Sequence, residues 1–225
     1  MKSFVPAIIT SLLLLLTIPS VHAQYQDFRS WWDVELAYGI TKDLDAKVEI
    51  SQRFKENSLV YDRSVLTAVL AYEIIKDLSV RGGVRYLVVN TPGTFESRYR
   101  IHAGIQYQKK FDELALSIRE RIQYGFNDLQ SMQYYMQQKT ISRTRLKTAY
   151  KIFGTPFQVH ASYELFLDLN SGIGILPVAN RVQLGLEYAF RSRSALDLSY
   201  IFEQEINSVN PLLSHIIKLG YTYEF

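Results

Sequence analysis

The chain has 225 residues, with 25 lysines and arginines against 22 aspartates and glutamates, so its formal net charge is only +3. This near balance gives no reason to expect a nucleic acid as a partner. There is no cysteine, which excludes disulfides and thiolate metal sites. Tyrosine and phenylalanine are abundant, at 16 and 12 copies. After the first 23 residues no run of 18 apolar residues occurs. That excludes membrane helices but leaves a membrane β-barrel open.

The N-terminus has the order of a secretory signal peptide. Lys2 precedes an apolar run from Ala7 to Ile18, and small residues follow up to Ala23. The run is shorter than the roughly 20 residues that a transmembrane helix needs. We therefore predict a signal peptide over residues 1–23, cleaved after Ala23, and an exported domain over residues 24–225.

A short Tyr-x-apolar phrase closes six segments of the exported domain, although its third copy departs at Lys109. In the last copy, residues 218–225, side chains alternate between an apolar and a polar face, as they do on a half-buried strand. A C-terminal strand ending in Phe is typical of bacterial outer-membrane barrels, where it carries the signal read by the barrel-assembly machinery. We predict that the aromatic residues of this phrase form a girdle at one membrane interface and the terminal assembly signal: Tyr38, Tyr72, Tyr107, Tyr150, Tyr188, Tyr221, Tyr223 and Phe225.

Each of the first five copies leads through a tight turn into a second alternating segment, which is the pattern of a β-hairpin. The other ends of the hairpins are joined by longer, more polar segments: residues 55–62, 90–97, 127–140, 169–178 and 207–213. Short turns at one rim and longer loops at the other are typical of an outer-membrane barrel. A soluble all-β sandwich or lipocalin-like cup also alternates, but its strands are shorter. The pattern predicts an all-β fold, an antiparallel transmembrane β-barrel of about 10–12 strands.

The number of strands raises a difficulty of parity. Eleven segments are visible from residues 31–40 onward, whereas single-chain bacterial barrels have even numbers of strands. Residues 24–30 could supply or share a further strand, or could thread the lumen from the periplasm. Alternatively, the first segment could lie outside the wall.

If the apolar faces contact lipid, the charged side chains line the lumen in two groups, which we call the basic wall and the acidic wall. The basic wall comprises Arg81, Arg85, Arg98, Arg100, Arg119, Arg121, Arg143 and Arg145. The acidic wall comprises Glu49, Glu164, Asp168, Glu187 and Glu203. Lys47, Arg53, Arg181 and Lys218 do not follow this division. Closing the sheet is expected to set the two walls opposite each other.

Two interpretations of these walls remain open. In one, they create a transverse field across a water-filled pore that admits small polar solutes. In the other, arginines and carboxylates pair across the interior and fill it, as side chains fill the smallest barrels. Glu120 conflicts with both, because it falls on the lipid face between Ile118 and Ile122, where a carboxylate is costly. A β-bulge after Ile118 would move it inward.

Sequence motifs give no sign of an active site, a metal site or a cofactor. The candidate histidines are His102, His160 and His215, and His160 shares a strand face with Ser162 and Glu164. Residues two apart on a strand lie about 6.6 Å apart, too far for a nucleophile to bond its base. We therefore predict that the protein is not an enzyme. A lipid-modifying enzyme acting through His160 is the less favoured alternative.

The signal peptide, the start near Trp31 and Trp32, the Tyr-x-apolar hairpins and the final Tyr-x-Phe resemble a domain-of-unknown-function family of outer-membrane β-barrels from Gram-negative bacteria. The resemblance implies a place in the bacterial outer membrane, with membrane lipid and the assembly machinery as partners. We interpret the protein as a small porin-like channel for small polar solutes. The alternative is a plugged structural or binding barrel that acts through loops such as residues 127–140, where Met132, Tyr134, Tyr135 and Met136 cluster.

Overall fold

The structure is a computed structural model that describes residues 25–127, 139–190 and 193–225. In them the chain forms eleven strands: β1 (Tyr25–Gly39), β2 (Leu44–Lys55), β3 (Val60–Ile75), β4 (Leu78–Thr91), β5 (Thr94–Phe111), β6 (Leu114–Asn127), β7 (Lys139–Lys151), β8 (Phe157–Asp168), β9 (Leu176–Ala189), β10 (Ser194–Glu205) and β11 (Leu212–Glu224). They close into one barrel in which consecutive strands pair and β1 also pairs with β11. None of these residues forms a helix long and apolar enough to cross a membrane. The predicted signal peptide, Gln24 and most of segment 127–140 lie outside the described residues.

The barrel closes through a parallel strand pair. β1 runs beside β11 from Tyr25, opposite Leu212, to Ala37, opposite Glu224, whereas all other neighbours are antiparallel. The residues from Tyr25 to Ser30 belong to β1, so they neither form a twelfth strand nor thread the lumen. The barrel has the eleven strands that are visible in the sequence, within the predicted 10–12, and the usual even number does not hold here. An odd count places the two ends of the wall at opposite rims, and the first and last strands must then run in the same direction.

The two rims differ in their connections. One rim, the turn rim, carries residues 40–43, 76–77, 112–113 and 152–156, the ends of β9 and β10 that face each other, and the C-terminal Phe225. At the other, the loop rim, two of the predicted long loops are in fact short. The β4–β5 connection is only Pro92 and Gly93, because Thr91 already pairs with Thr94. The β2–β3 connection is residues 56–59, three of which take positive φ angles and turn the chain tightly.

The burial of side chains is inverted relative to a soluble barrel. Leu70, Val84 and Leu184 are 53, 57 and 55 % exposed on the outer surface. Ser51, Ser199 and Glu164 are almost fully buried inside. A broad exposed apolar band is a liability in water but matches the hydrocarbon of a bilayer. The exposed band therefore identifies the fold as a barrel of the transmembrane type.

The sequence pattern assigns polar side chains to the inner face, but this face also carries apolar residues. Two small apolar clusters face inward, one formed by Trp31, Ile201 and Ile216, the other by Val65, Leu87 and Val89. Most of these six residues have apolar neighbours in the sequence, as in the run from Leu87 to Val89. Where both faces are apolar, the alternation with period two disappears, so hydropathy gives no facing for these positions.

Glu120 does lie on the lipid face, and no β-bulge after Ile118 moves it inward. The register of β6 with β5 and with β7 is continuous through this region, with Glu120 directly opposite Thr144. The carboxylate accepts hydrogen bonds from the hydroxyls of Ser142 and Thr144, each at 2.5 Å. These two donors on the neighbouring strand offset part of the cost of a carboxylate among apolar side chains.

We expect removal of both donors, in a Ser142→Ala/Thr144→Val variant, to lower the free energy of unfolding by about 2–4 kcal/mol. The reason is that Glu120 then has no partner in an apolar setting. Urea titration of the protein refolded in phosphocholine vesicles measures this change. Adding Glu120→Gln to the double variant should recover most of the loss, whereas Thr148→Val, an outward hydroxyl that does not bond Glu120, should cost little. Unchanged unfolding of the double variant would contradict this account.

Adjacent glycines in β4 provide a matched pair. A Cβ at Gly83 would lie 2.5 Å from the carbonyl oxygen of Ala68 and 2.7 Å from the ring of His102, which sits over Gly83 inside the barrel. At the outward-facing Gly82 a Cβ would meet nothing within 4 Å. We expect Gly83→Ala to destabilise the barrel by about 1–3 kcal/mol in the same urea titration, because the inner wall is overpacked. Gly82→Ala should be neutral or slightly stabilising, and equal effects of the two would refute this packing.

Candidate functional site

The lumen contains a cavity of about 980 Å³. Its lining includes Thr222 and Glu224 near the turn rim and Lys139, Asn207 and Ser208 near the loop rim. The cavity therefore extends along the barrel between the two rims. Every residue of the predicted basic wall except Arg98 lines it, and so do Glu49, Glu164, Glu187 and Glu203.

Glu164 on β8 is the centre of an ion-pair network. Its Oε2 accepts a hydrogen bond from Arg143 Nη2 at 2.7 Å, and its Oε1 accepts one from Arg119 Nη2 at 2.8 Å. Arg181 Nη1 lies 3.6 Å from Oε2. With a residue exposure of 3 %, this carboxylate is held almost entirely by arginines. Glu164 was predicted in a wall facing the arginines, but the structure places it in direct contact with them, because β8 adjoins β7.

Arg181 on β9 connects the two sides of this network. Its Nε and Nη2 both donate to the carboxylate of Glu203 on β10. Its guanidinium also lies 5.2 Å from the centre of the Trp31 ring and 5.1 Å from that of Phe166. Salt bridges and cation–π contacts thus connect the Arg181 side chain to β8, β10 and β1, which are not neighbours of one another.

Two further arginines extend this arrangement into a layer across part of the lumen. Arg53 lies 4.0 Å from the ring centre of Trp31, and Arg143 lies 4.5 Å from that of Phe166. We call this set, Arg53, Trp31, Arg181, Phe166 and Arg143, the aromatic–arginine layer. Sequence reasoning missed Trp31 and Phe166. The adjacent Trp31 and Trp32 gave one signal, because neighbouring strand residues must face opposite sides.

The rest of the basic wall is not neutralised in this way. Arg98 pairs with Glu96, but Arg81, Arg85, Arg100, Arg121 and Arg145 make no ion pair with any described residue. Arg85 donates only to the hydroxyl of Thr67, at 3.1 Å. The wall therefore has a paired part around Glu164 and an unpaired part on β4 to β7.

The acidic residues concentrate on the strands nearest the seam. The register sets Glu49 opposite Glu35 and Glu187 opposite Asp197. Lys47 pairs with Glu35 at 2.8 Å, and Lys218 pairs with Asp33 at 3.0 Å, which explains these two exceptions in the sequence pattern. Asp168 ends β8 at the loop rim and accepts a hydrogen bond from the backbone of Asn170.

The histidines do not form a nucleophile site. His160 Nε2 lies 2.6 Å from Asp197 Oδ2, and the Ser199 hydroxyl donates to the other oxygen of Asp197 at 2.6 Å. The carboxylate thus stands between hydroxyl and imidazole, whereas an activated serine bonds the imidazole directly. His102 is buried over Gly83, and His215 shares a hydrogen bond with the Tyr200 hydroxyl at 2.7 Å on the outer face.

The predicted girdle residues all face outward near the turn rim. Tyr38 and Tyr223 each contact the ring of Phe225, with centroids 6.3 and 5.0 Å apart. The backbone N–H of Phe225 donates to the carbonyl of Ala37 at 3.0 Å, so the last residue is tied to β1. The aromatic terminus is therefore part of the seam as well as of the outer surface.

Comparison with solved structures finds barrels of similar fold, and two of them are as follows. A structure titled "Bacterial polysaccharide outer membrane secretin" superposes with a TM-score of 0.52 at 7 % identity, over 78 % of this chain and 62 % of that one. This chain thus spans less than two thirds of the secretin chain. A NanC porin superposes with a TM-score of 0.50 at 14 % identity, over 78 % of this chain and 86 % of the porin. At these identities the likeness concerns the fold alone.

No curated protein matches the sequence. Residues 28–211 match a family described as "Protein of unknown function (DUF2490)", which accounts for most of the barrel wall. The predicted resemblance to a domain-of-unknown-function family of outer-membrane-type barrels is thereby confirmed, and the chain belongs to the DUF2490 family.

Proposed function

We propose that this protein resides in the bacterial outer membrane and lets small polar solutes diffuse through its lumen. The observation that carries the proposal is the cavity of about 980 Å³ that runs along the barrel between charged walls. Cavities of this size hold small organic molecules. Charged linings that face water admit polar solutes and exclude apolar ones.

The inverted burial supports the membrane location. Exposing the apolar outer surface of the barrel to water would be unfavourable, and so would exposing its charged inner face to hydrocarbon. The wide apolar band and the aromatic residues at the turn rim fit a bilayer. Recovery of the processed protein as a dissolved periplasmic species in cell fractionation would contradict this part of the proposal.

A filled structural barrel is the second candidate, favoured by the aromatic–arginine layer. That layer places five large side chains across one side of the lumen. If it blocks the remaining cross-section, the barrel holds water and ions without conducting them. The geometry at the histidines supports no catalytic role, so the proposal includes no enzyme activity.

Planar-bilayer recording of the refolded protein separates the two candidates. We expect discrete single-channel steps in KCl, because a continuous hydrated cavity conducts ions. The matched control is the same protein heat-denatured before addition, which should give no steps. Complete absence of steps at any voltage, from protein shown by circular dichroism to be folded β-barrel, would remove the channel and leave the filled barrel.

We expect Arg181→Ala to raise the single-channel conductance roughly twofold, because Arg181 joins Glu164 and Glu203 and holds the aromatic–arginine layer together. Arg29→Ala removes the same charge and a similar volume, but from an arginine that pairs with Asp27 near the loop rim. The control should change the conductance little. Equal conductance of wild type and Arg181→Ala would mean that this layer does not limit passage.

A further inference from the structure

We propose that Arg81, Arg121 and Arg145 form an anion-binding site in the lumen, for small solutes that carry two or more phosphate or carboxylate groups. The site lies on the inner face of β4 to β7, on the unpaired part of the basic wall. This inference rests on the proposed function, since it names the class of solute that the lumen would take.

The first support is the register, which sets arginines directly opposite arginines. Arg85 faces Arg100 across β4 and β5. Across β6 and β7, Arg119 faces Arg145, and Arg121 faces Arg143. Like charges directly opposite on neighbouring strands destabilise a sheet. Three such pairs on four strands are a cost that the fold alone does not require.

The second support is the state of the guanidinium groups. Arg119 and Arg143 each form an ion pair with Glu164, but no carboxylate of a described residue is in contact with Arg81, Arg121 or Arg145. The Nε atoms of these three arginines are buried and make no hydrogen bond to a described residue. Carboxylates act on these guanidiniums only from beyond contact distance, as Glu164 does from directly opposite Arg145, so an anion that binds them directly would lower the energy of the site.

The third support is room for a ligand. Gly104 lies between Arg81 and Arg121, directly opposite each of them in the register. A Cβ at Gly104 would come within 2.3 Å of the Glu120 carbonyl oxygen and 3.2 Å of the Arg121 Cβ, so Arg121 packs closely beside this glycine. All four of these residues, Arg145 included, line the cavity. The two arginines therefore flank a side-chain-free step of the wall that opens into the lumen.

The chemistry of the site indicates its ligand. A guanidinium presents parallel N–H donors that match the oxygens of a carboxylate or a phosphate. Three such groups, on β4, β6 and β7, provide more positive charge than one monovalent anion can neutralise. A solute with several oxyanion groups could engage two or three arginines at once. Chloride, which carries one charge, would be attracted only by the overall positive potential of the wall.

Calorimetric titration of the refolded protein in a zwitterionic detergent, at constant ionic strength, tests the site. One arm uses pyrophosphate and the other tricarballylate, to separate phosphate from carboxylate ligands. We expect saturable one-to-one binding in at least one arm. Arg121→Gln should raise that Kd by about tenfold, the effect of losing one charge-assisted contact.

The matched control is Arg63→Gln. Arg63 also lines the cavity, but it pairs with Asp62 at 2.7 Å. Its replacement removes the same charge from the lumen and leaves the three arginines of the site in place. The Kd of this control should change less than twofold. Thermal unfolding monitored by circular dichroism gives a second readout: the bound anion should raise the Tm of wild type and of Arg63→Gln more than that of Arg121→Gln.

Two results would overturn the inference: no binding of either anion to the folded wild type, or an equal loss of affinity in Arg121→Gln and Arg63→Gln. The second result would mean that only the net charge of the lumen matters. Calorimetry does not depend on conduction, so the site and the channel can fail separately. A barrel that binds without single-channel steps keeps the site, and one that conducts without binding keeps only the channel.

Discussion

The structure depends on complete pairing of its backbone. Inside a bilayer no water satisfies an exposed N–H or C=O group, so a sheet that spans it must have no free edge. Here eleven strands meet this condition through the parallel contact of β1 with β11, which extends from Tyr25 to Ala37 on β1. The contact is continued by Phe225, whose N–H bonds the carbonyl of Ala37. The odd count is thus compatible with a closed wall, because parallel pairing also forms a continuous ladder.

Closure then determines where the charges go. Since lipid takes the apolar side chains, every polar side chain of a strand is directed into a space a few side chains wide. Carboxylates collect on the strands beside the seam and arginines on the opposite strands, and Glu164 stands at the boundary between them. Glu164 and Glu203 hold Arg119, Arg143 and Arg181, but they cannot reach the arginines of β4. The lumen is therefore partly filled by ion pairs and partly lined by free cations.

Much of this fold could be predicted from the sequence, because alternation with period two reports directly on which side of a strand contacts lipid. That rule predicted the strands and the outward facing of the girdle residues. It failed where apolar and polar side chains do not alternate. Ile201 and Ile216 lie among apolar residues on both faces, so no alternation existed to read. Glu120 broke the pattern, and only the cross-strand register shows that Ser142 and Thr144 supply its partners. The way in which Arg181 joins Glu164, Glu203, Trp31 and Phe166 depends on barrel curvature, which a linear sequence does not contain.

With the proposed anion site, the opposing arginine pairs would represent a balance between stability and binding. A barrel selected only for stability would alternate the signs of charge across its strands, as Arg181 and Glu203 do. On β4 to β7 some pairs do not: Arg121 faces Arg143, and Arg145 faces Arg119 on β6, although it faces Glu164 on β8. The closed ladder can bear this repulsion because it has no edge at which to open, and its contacts extend around the whole circumference. A closed wall of this kind would hold the backbone of the proposed site in place before a solute arrives, and such preorganisation lowers the entropic cost of binding.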